Sequence, residues 1–290
     1  PTLNSDDIFM DSEVEAVVIA TPATTHASLV ENALIKGKHV LVEKPLTTKA
    51  SLARKLFALA KYHRLQLLVG HTYLYHPVIN KIKLLIESGY LGKLLYVVGQ
   101  RLSLSTSITD VNVLWDLGPH EVSMFYFLTQ GNVASVNATG IRISVREPEY
   151  MVNMSLRLTD GTYGNFLFSW LSPVKVRSLT IVGDKRMVIF DEMEPKFQLR
   201  VITGNTLAFP KGNVYQFADL KKIFFKSRTI QVLPVSPAEP LELAVINFLE
   251  AITHKAQLFI TARSVIQTLK VLEAAQTSLR SKKMVALRNF

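Results

Sequence analysis

The chain holds 290 residues, 48% of them apolar and 19% charged, which supplies enough apolar material for two cores and excludes a disordered chain. No apolar run reaches the ~18–20 residues of a membrane span, no basic-then-apolar leader stands at the start, and the absence of cysteine excludes disulfides and thiolate metal centres, so a cytoplasmic address is expected. The net charge of +10 is scattered, and its densest groups (Lys221, Lys222, Lys226, Arg228; Arg280, Lys282, Lys283) lack zinc-finger spacing or an aromatic RNA-binding signature, so they read as solvated surface without a nucleic-acid partner.

In chain order, "AVVIA" (16–20) is a β-branched run of the kind covered on both faces of a parallel sheet. A helical pattern at 25–36 closes on Gly37, and "HVLVE" (39–43) is the next strand. A second helix is predicted over 47–63, capped by Thr47 or Thr48, and "LQLLVG" (65–70) is a third strand. Strand, helix, strand, helix, strand with short links reads as a parallel, right-handed unit.

After a join near 71–76 the character changes. A helix at 77–88 ends on Gly89, and strands follow at 93–104, 132–143, 150–159, 162–171, 175–183 and 186–190. Asp160-Gly161 and Gly183-Asp184 supply hairpin turns. A helix at about 116–129 interrupts the strands, and helices return at 239–253 and 261–280. The fold class is α/β: an incomplete Rossmann-type parallel sheet over 1–72, then an α+β domain with a largely antiparallel open sheet over 73–290. The chain opens at Pro1 and runs straight into a strong strand, as if joined part-way through a fold.

In open parallel sheets ligands sit beyond the carboxyl ends of the strands. Three such ends stand out: Thr21-Pro22, Glu43-Lys44-Pro45 and Gly70-His71-Thr72-Tyr73. Pro45 fixes its own φ and holds Lys44 extended, so Lys44 is aimed outward from a rigid exit; by itself the triplet is equally an exposed turn with a surface lysine. Asp116 and His120, four apart, share one face of a helix whose start is placed near Asp116 because Pro119 suits a first turn. A carboxylate beside an imidazole can orient it and tune its proton affinity; alternatively Asp116 is a cap and His120 a satisfied core histidine. His63, His71, His76 and His254 show no ligand spacing with carboxylates, so no metal is expected, and Tyr73, Tyr75 and Trp115 read as packing residues.

The spacing of "IATPATTHASLVENALIKGKHVLVEKPL", "LLVGHTYLYHPVINKIKLLIESGYLGKL" and "DLGPH" resembles the Gfo/Idh/MocA family of NAD(P)-dependent oxidoreductases, over roughly residues 6–130. The resemblance implies an N-terminal Rossmann domain binding NAD or NADP, and a C-terminal domain whose sheet often mediates homo-oligomerisation. It implies hydride transfer between nicotinamide and a sugar, inositol or sugar-nucleotide hydroxyl or carbonyl. Lys44 then lies between nicotinamide and substrate before an often cis Pro45, His120 is the general base, and Asp116 holds position and charge balance. Thr21, Pro22 and His26 match the segment passing the cofactor, and Glu43 the nicotinamide ribose end.

The sequence also departs from the pattern. No G-x-G-x-x-G turn or ribose-binding acid precedes residue 16, which suggests a further stretch of about fifty to sixty residues upstream, given the ~30-residue size of a βαβ unit. Ser123 stands where many relatives carry Asp, Glu121 is unusual, and Tyr75-His76-Pro77 replaces a frequent Arg before the proline. A non-catalytic scaffold that kept the fold, and an NAD-dependent glycoside hydrolase, are the alternative readings.

Overall fold

The computed structural model describes residue 2 and residues 4–105, 110–203, 229–254 and 256–287. The basic group Lys221, Lys222, Lys226 and Arg228 lies outside the described residues. A short helix, α1 (Ser5–Met10), precedes β1 (Ala16–Ile19), α2 (Ala23–Ile35), β2 (His39–Val42), α3 (Ala50–Tyr62) and β3 (Leu67–Val69). The three strands form one parallel sheet in the order β1-β2-β3. Central β2 buries Val40, Leu41 and Val42, as expected of a strand covered on both faces. Helix α3 packs through Ala50, Ala53, Leu56 and Ala60, a three-and-four spacing that lays one stripe along the core.

Two helix boundaries differ from the sequence expectation. The N-cap of α3 is Lys49, without a side-chain cap bond; the Thr47 hydroxyl instead accepts from the Lys49 amide, so the helix begins two residues later. Helix α2 starts at Ala23 because Pro22, with its fixed φ and no amide hydrogen, sits at its cap, and it ends before Gly37 at φ +77°.

A 3₁₀ turn (Thr72–Tyr75) leads into α4 (Pro77–Glu87), whose first turn is capped by His76: its Nδ1 accepts from the Val78 amide at 3.1 Å. Then come β4 (Leu94–Leu104), α5 (Val113–Thr129), β5 (Val133–Ile141), β6 (Met151–Leu158), β7 (Tyr163–Ser169), β8 (Leu171–Gly183) and β9 (Arg186–Asp191). After a 3₁₀ turn at Pro195–Phe197 follow β10 (Leu199–Thr203), β11 (Thr229–Val232), α6 (Pro240–Thr253), α7 (Ala262–Ser281) and β12 (Val285–Ala286). Nine strands make one sheet in the order β11-β10-β9-β8-β4-β7-β6-β5-β12, antiparallel except for the parallel pair β4–β7. The short strands β10, β11 and β12 extend both edges beyond what the sequence pattern marked.

Helix α5 begins three residues before the predicted start. Asn112 caps it by accepting from the Trp115 amide at 3.2 Å, so Pro119 falls in the second turn. Gly118 stands where an added Cβ would come within 3.0 Å of Leu272, so its missing side chain lets α5 lie close against α7. The sheet beneath and α7 alongside fix the helix that carries Asp116 and His120.

Candidate active site

The carboxyl ends of β1 and β2 and the turn after β3 lie side by side, as the parallel register sets them. His26 is buried beneath these exits, its Nε2 2.8 Å from the Thr21 carbonyl and its Nδ1 2.9 Å from the Pro45 carbonyl. Both ring nitrogens are thus taken by main chain, and His26 ties the first strand exit to the second instead of offering a free polar atom to a ligand. Thr21 and Pro22 are exposed, with the Thr21 hydroxyl 2.6 Å from that of Thr25. Glu43 is half-buried, and its Oε2 accepts from the Lys44 amide at 3.3 Å. An added Cβ on Gly70 would lie 3.3 Å from the same Oε2, so the close approach of the two strand exits suits glycine.

The Lys44–Pro45 peptide bond is cis. From that exit the Lys44 ammonium reaches across to α5 and donates to the Asp116 carboxylate at 3.0 Å and to the Asp116 carbonyl at 2.6 Å. The second Asp116 oxygen accepts from the Trp170 indole at 3.0 Å, which fixes the carboxylate from the opposite side. The pair is not sealed: the Lys44 and Asp116 side chains keep 16% and 27% of their accessible surface. Residues 72 positions apart thereby meet, one from the parallel unit and one from the helix on the large sheet.

His120 lies one turn beyond Asp116 on the same helix face. Its Nδ1 is buried and lacks a hydrogen-bond partner, and its ring meets the edge of Tyr73 at 5.0 Å between centroids. Burial drives its proton affinity well below the ordinary imidazole range, and the nearby charges of Arg101 and Lys44 push the same way. At neutral pH the ring is therefore unprotonated and able to take a proton. His71, expected at the surface or in an ordinary hydrogen bond, is instead 1% exposed, with an unpartnered Nδ1 and a pKa lowered to about 4 by burial and by Lys44. It stands two residues beyond a strand of three apolar residues, after Gly70, and that buried run was the available signal that the chain there is still covered.

Behind His120 stands a second polar layer that the sequence reading did not find. Arg101 on β4 donates from Nε to Glu121 at 2.7 Å, stacks 4.4 Å over the Tyr73 ring and reaches the Tyr73 hydroxyl at 3.0 Å. That hydroxyl also receives the Arg177 guanidinium at 3.1 Å and donates to Glu192 at 2.6 Å. Arg101 and Arg177 sit opposite each other in the β4–β8 register, so both project from one sheet face. The unusual Glu121 thus has a partner: it is the counter-charge of a buried arginine. Tyr73, expected to pack, is the hub of this layer. Among the described residues no cluster could hold a metal ion.

The comparisons with known proteins bear on the family. A family model described as "Oxidoreductase family, NAD-binding Rossmann fold" matches residues 2–71, and the GFO/IDH/MocA C-terminal domain model matches residues 79–189. The UDP-N-acetylglucosamine 3-dehydrogenase of Acidithiobacillus ferrooxidans is 30% identical over 181 residues, covering 62% of this chain and 56% of that protein. The dTDP-3,4-didehydro-2,6-dideoxy-alpha-D-glucose 3-reductase of Actinomadura kijaniata is 39% identical over 82 residues, covering 28% and 25%. The chain therefore aligns with little more than half of the first relative's length and a quarter of the second's. Among solved structures, GenD2 from gentamicin A biosynthesis, in complex with NAD, superposes with a TM-score of 0.82 at 21% identity, covering 99% of this chain and 82% of that one. The chain belongs to the Gfo/Idh/MocA family of oxidoreductases.

Proposed function

We propose that this member of the Gfo/Idh/MocA family serves NAD(P)-dependent hydride transfer at a hydroxyl or carbonyl carbon of a sugar or sugar nucleotide. The observation that carries the reading is the meeting of Lys44, from the carboxyl end of a parallel strand, with Asp116 one helical turn from an unprotonated His120. The residues present fit the nicotinamide end of such a cofactor: Thr21 and Pro22 are exposed just past the end of β1, and Glu43 stands beside the partly open Lys44. When bound, the nicotinamide supplies the hydride acceptor.

The chain's own residues supply the rest. His120 takes the hydroxyl proton of an alcohol substrate, which its depressed proton affinity allows at neutral pH. Lys44 directs its ammonium at the oxygen where negative charge develops. Asp116, fixed by Trp170 on its other oxygen, keeps that ammonium in place. Run in reverse, His120 returns the proton and Lys44 polarises a carbonyl. The sugar-nucleotide names of the two curated relatives support the substrate class. Residues 1–72 would carry the cofactor side and 73–290 the substrate side. Tyr96 and Tyr163, paired across β4 and β7 and both exposed, give the open face of the large sheet an apolar patch suited to pairing of two copies.

The test is titration of NADH fluorescence against the full chain, followed by turnover with a panel of nucleotide-linked and free sugars. Binding together with sugar-dependent change of nicotinamide absorbance is the expected result. Glycoside cleavage with no net change in NADH would move the chain to the hydrolase reading, and failure to bind any nicotinamide cofactor would remove the enzyme reading altogether.

A further inference from the structure

An imidazole that takes a proton at one nitrogen carries its own proton on the other, and in a buried site that second proton needs an acceptor. Helix spacing offers Asp116, one turn from His120, for the task. Its carboxylate is engaged elsewhere: one oxygen accepts from Lys44 and the other from Trp170, each at 3.0 Å. The Nδ1 of His120 stays buried with no hydrogen-bond partner. Leaving it so would cost the full desolvation of a polar atom.

Two buried acceptors close to the ring share this condition, Glu121 Oε2 and His71 Nδ1. Glu121 does not face the ring, because consecutive helical side chains diverge; it packs toward Gly99 and Arg101 on β4. His71 does come near. It caps the 3₁₀ turn whose Tyr73 ring meets His120 at 5.0 Å, and its charge, when present, acts on His120. The ring is 1% exposed with a pKa lowered to about 4, by burial first and by Lys44 second, so at neutral pH it is neutral and keeps an acceptor lone pair. The other charges acting on His120 are those of Lys44, Arg101 and Arg177, all cations and none an acceptor. Lys44 places two of its three ammonium hydrogens on the Asp116 carboxylate and carbonyl, which leaves one.

We infer that His71 is a positioning residue for His120: through one enclosed water, its Nδ1 receives the hydrogen bond of the His120 Nδ1 proton and keeps His120 Nε2 free as the base. The two imidazole nitrogens and the remaining Lys44 hydrogen give that water as many partners as buried waters commonly have. The contact survives proton uptake, since the imidazolium still donates from Nδ1. The inference rests on the hydride-transfer reading for the role of His120 as base.

The experiment reads tautomer and rate together. Ring-nitrogen NMR of the full chain at neutral pH, with the His120 signals assigned by their loss in His120→Asn, is expected to show the His120 proton on Nδ1. His71→Phe, similar in bulk but without an acceptor, should spread that proton over both nitrogens. It should also lower kcat about tenfold, the loss of one hydrogen bond, with KM and the NADH titration within about twofold of wild type. His71→Asn sets an amide oxygen where Nδ1 stood and should restore the tautomer and most of kcat. His71→Gln, whose amide reaches the Nε2 position instead, should not, and this difference carries the test where His71→Phe fails to fold. A wild-type His120 protonated on Nε2, a tautomer unchanged in His71→Phe, or equal rates in His71→Asn and His71→Gln overturns the assignment. If the tautomers behave as expected and the wild type shows no nicotinamide-dependent turnover, the positioning contact stands and the hydride-transfer reading fails.

Discussion

Helix α5 carries two carboxylates five residues apart, and each meets a cation from a different part of the molecule. Asp116 meets Lys44 at 3.0 Å, with 27% and 16% of the side chains accessible, whereas Glu121 meets Arg101 at 2.7 Å with 3% and 6% accessible. The first pair is partly open to solvent, as the proposed role of its ammonium requires. The second is locked beneath it: Glu121 keeps one buried oxygen without a partner, and burial raises its proton affinity against the pull of Arg101. Accessibility separates the pair suited to chemistry from the pair suited to holding the site in shape, although both look alike as charges on a helix.

The comparison breaks first at His120 itself. His120→Asn is expected to lower turnover by ~10²–10⁴-fold as a lost general base, with melting temperature and NADH affinity nearly unchanged. Wild-type turnover in steady-state kinetics would move the base elsewhere. Lys44→Ala should behave in kind, losing turnover while the fold persists.

The buried pair should show the opposite signature. Glu121→Ala leaves Arg101 buried without its charge partner and is expected to cost about 3–5 kcal/mol of stability in urea unfolding, as for other broken buried pairs. A loss below about 1 kcal/mol would show that the pair is solvated in solution. A smaller effect is expected for Asp116→Asn, which keeps the acceptor for Trp170 but discharges the partner of Lys44. Turnover should fall about 10–100-fold, the range of one charge-assisted hydrogen bond, with stability little changed.

The mildest prediction concerns pH. His71 has a folded-state pKa of about 4 against an ordinary value of 6.5, so the unfolded chain binds more protons between those limits. The stability it contributes is complete above pH ~6.5 and is lost as pH falls toward 4. His71→Phe should flatten that part of the stability profile in acid titration of the folded state. An unchanged slope would mean that His71 is hydrated. His120 follows the same sign in kinetics: kcat/KM for alcohol oxidation should hold on lowering the pH through 6.5 and decline only below it.

Much of the framework was legible in the chain. The apolar runs of β1 to β3 and the helices between them announced the parallel unit, and the strand series with hairpin turns at Asp160-Gly161 and Gly183-Asp184 announced the antiparallel one, because covered strands and tight turns leave local marks. Lys44, Asp116 and His120 were legible as candidates because proline, helix spacing and residue type are local signals. The cap at Asn112 was missed because Pro119 pointed to a later start, and the edge strands β10 to β12 because two to five residues of pairing leave too little pattern.

Sequence by itself determined most of the elements and offered three candidate side chains, since both depend on neighbours a few residues away. Only the tertiary structure decided that His26 is a clasp between two loops, that His71 is buried, and that Arg101, Arg177, Glu121 and Glu192 converge on Tyr73. Those outcomes join positions up to 119 residues apart. No local preference encodes such contacts, because burial and charge pairing act through space once the sheet has set which side chains share a face.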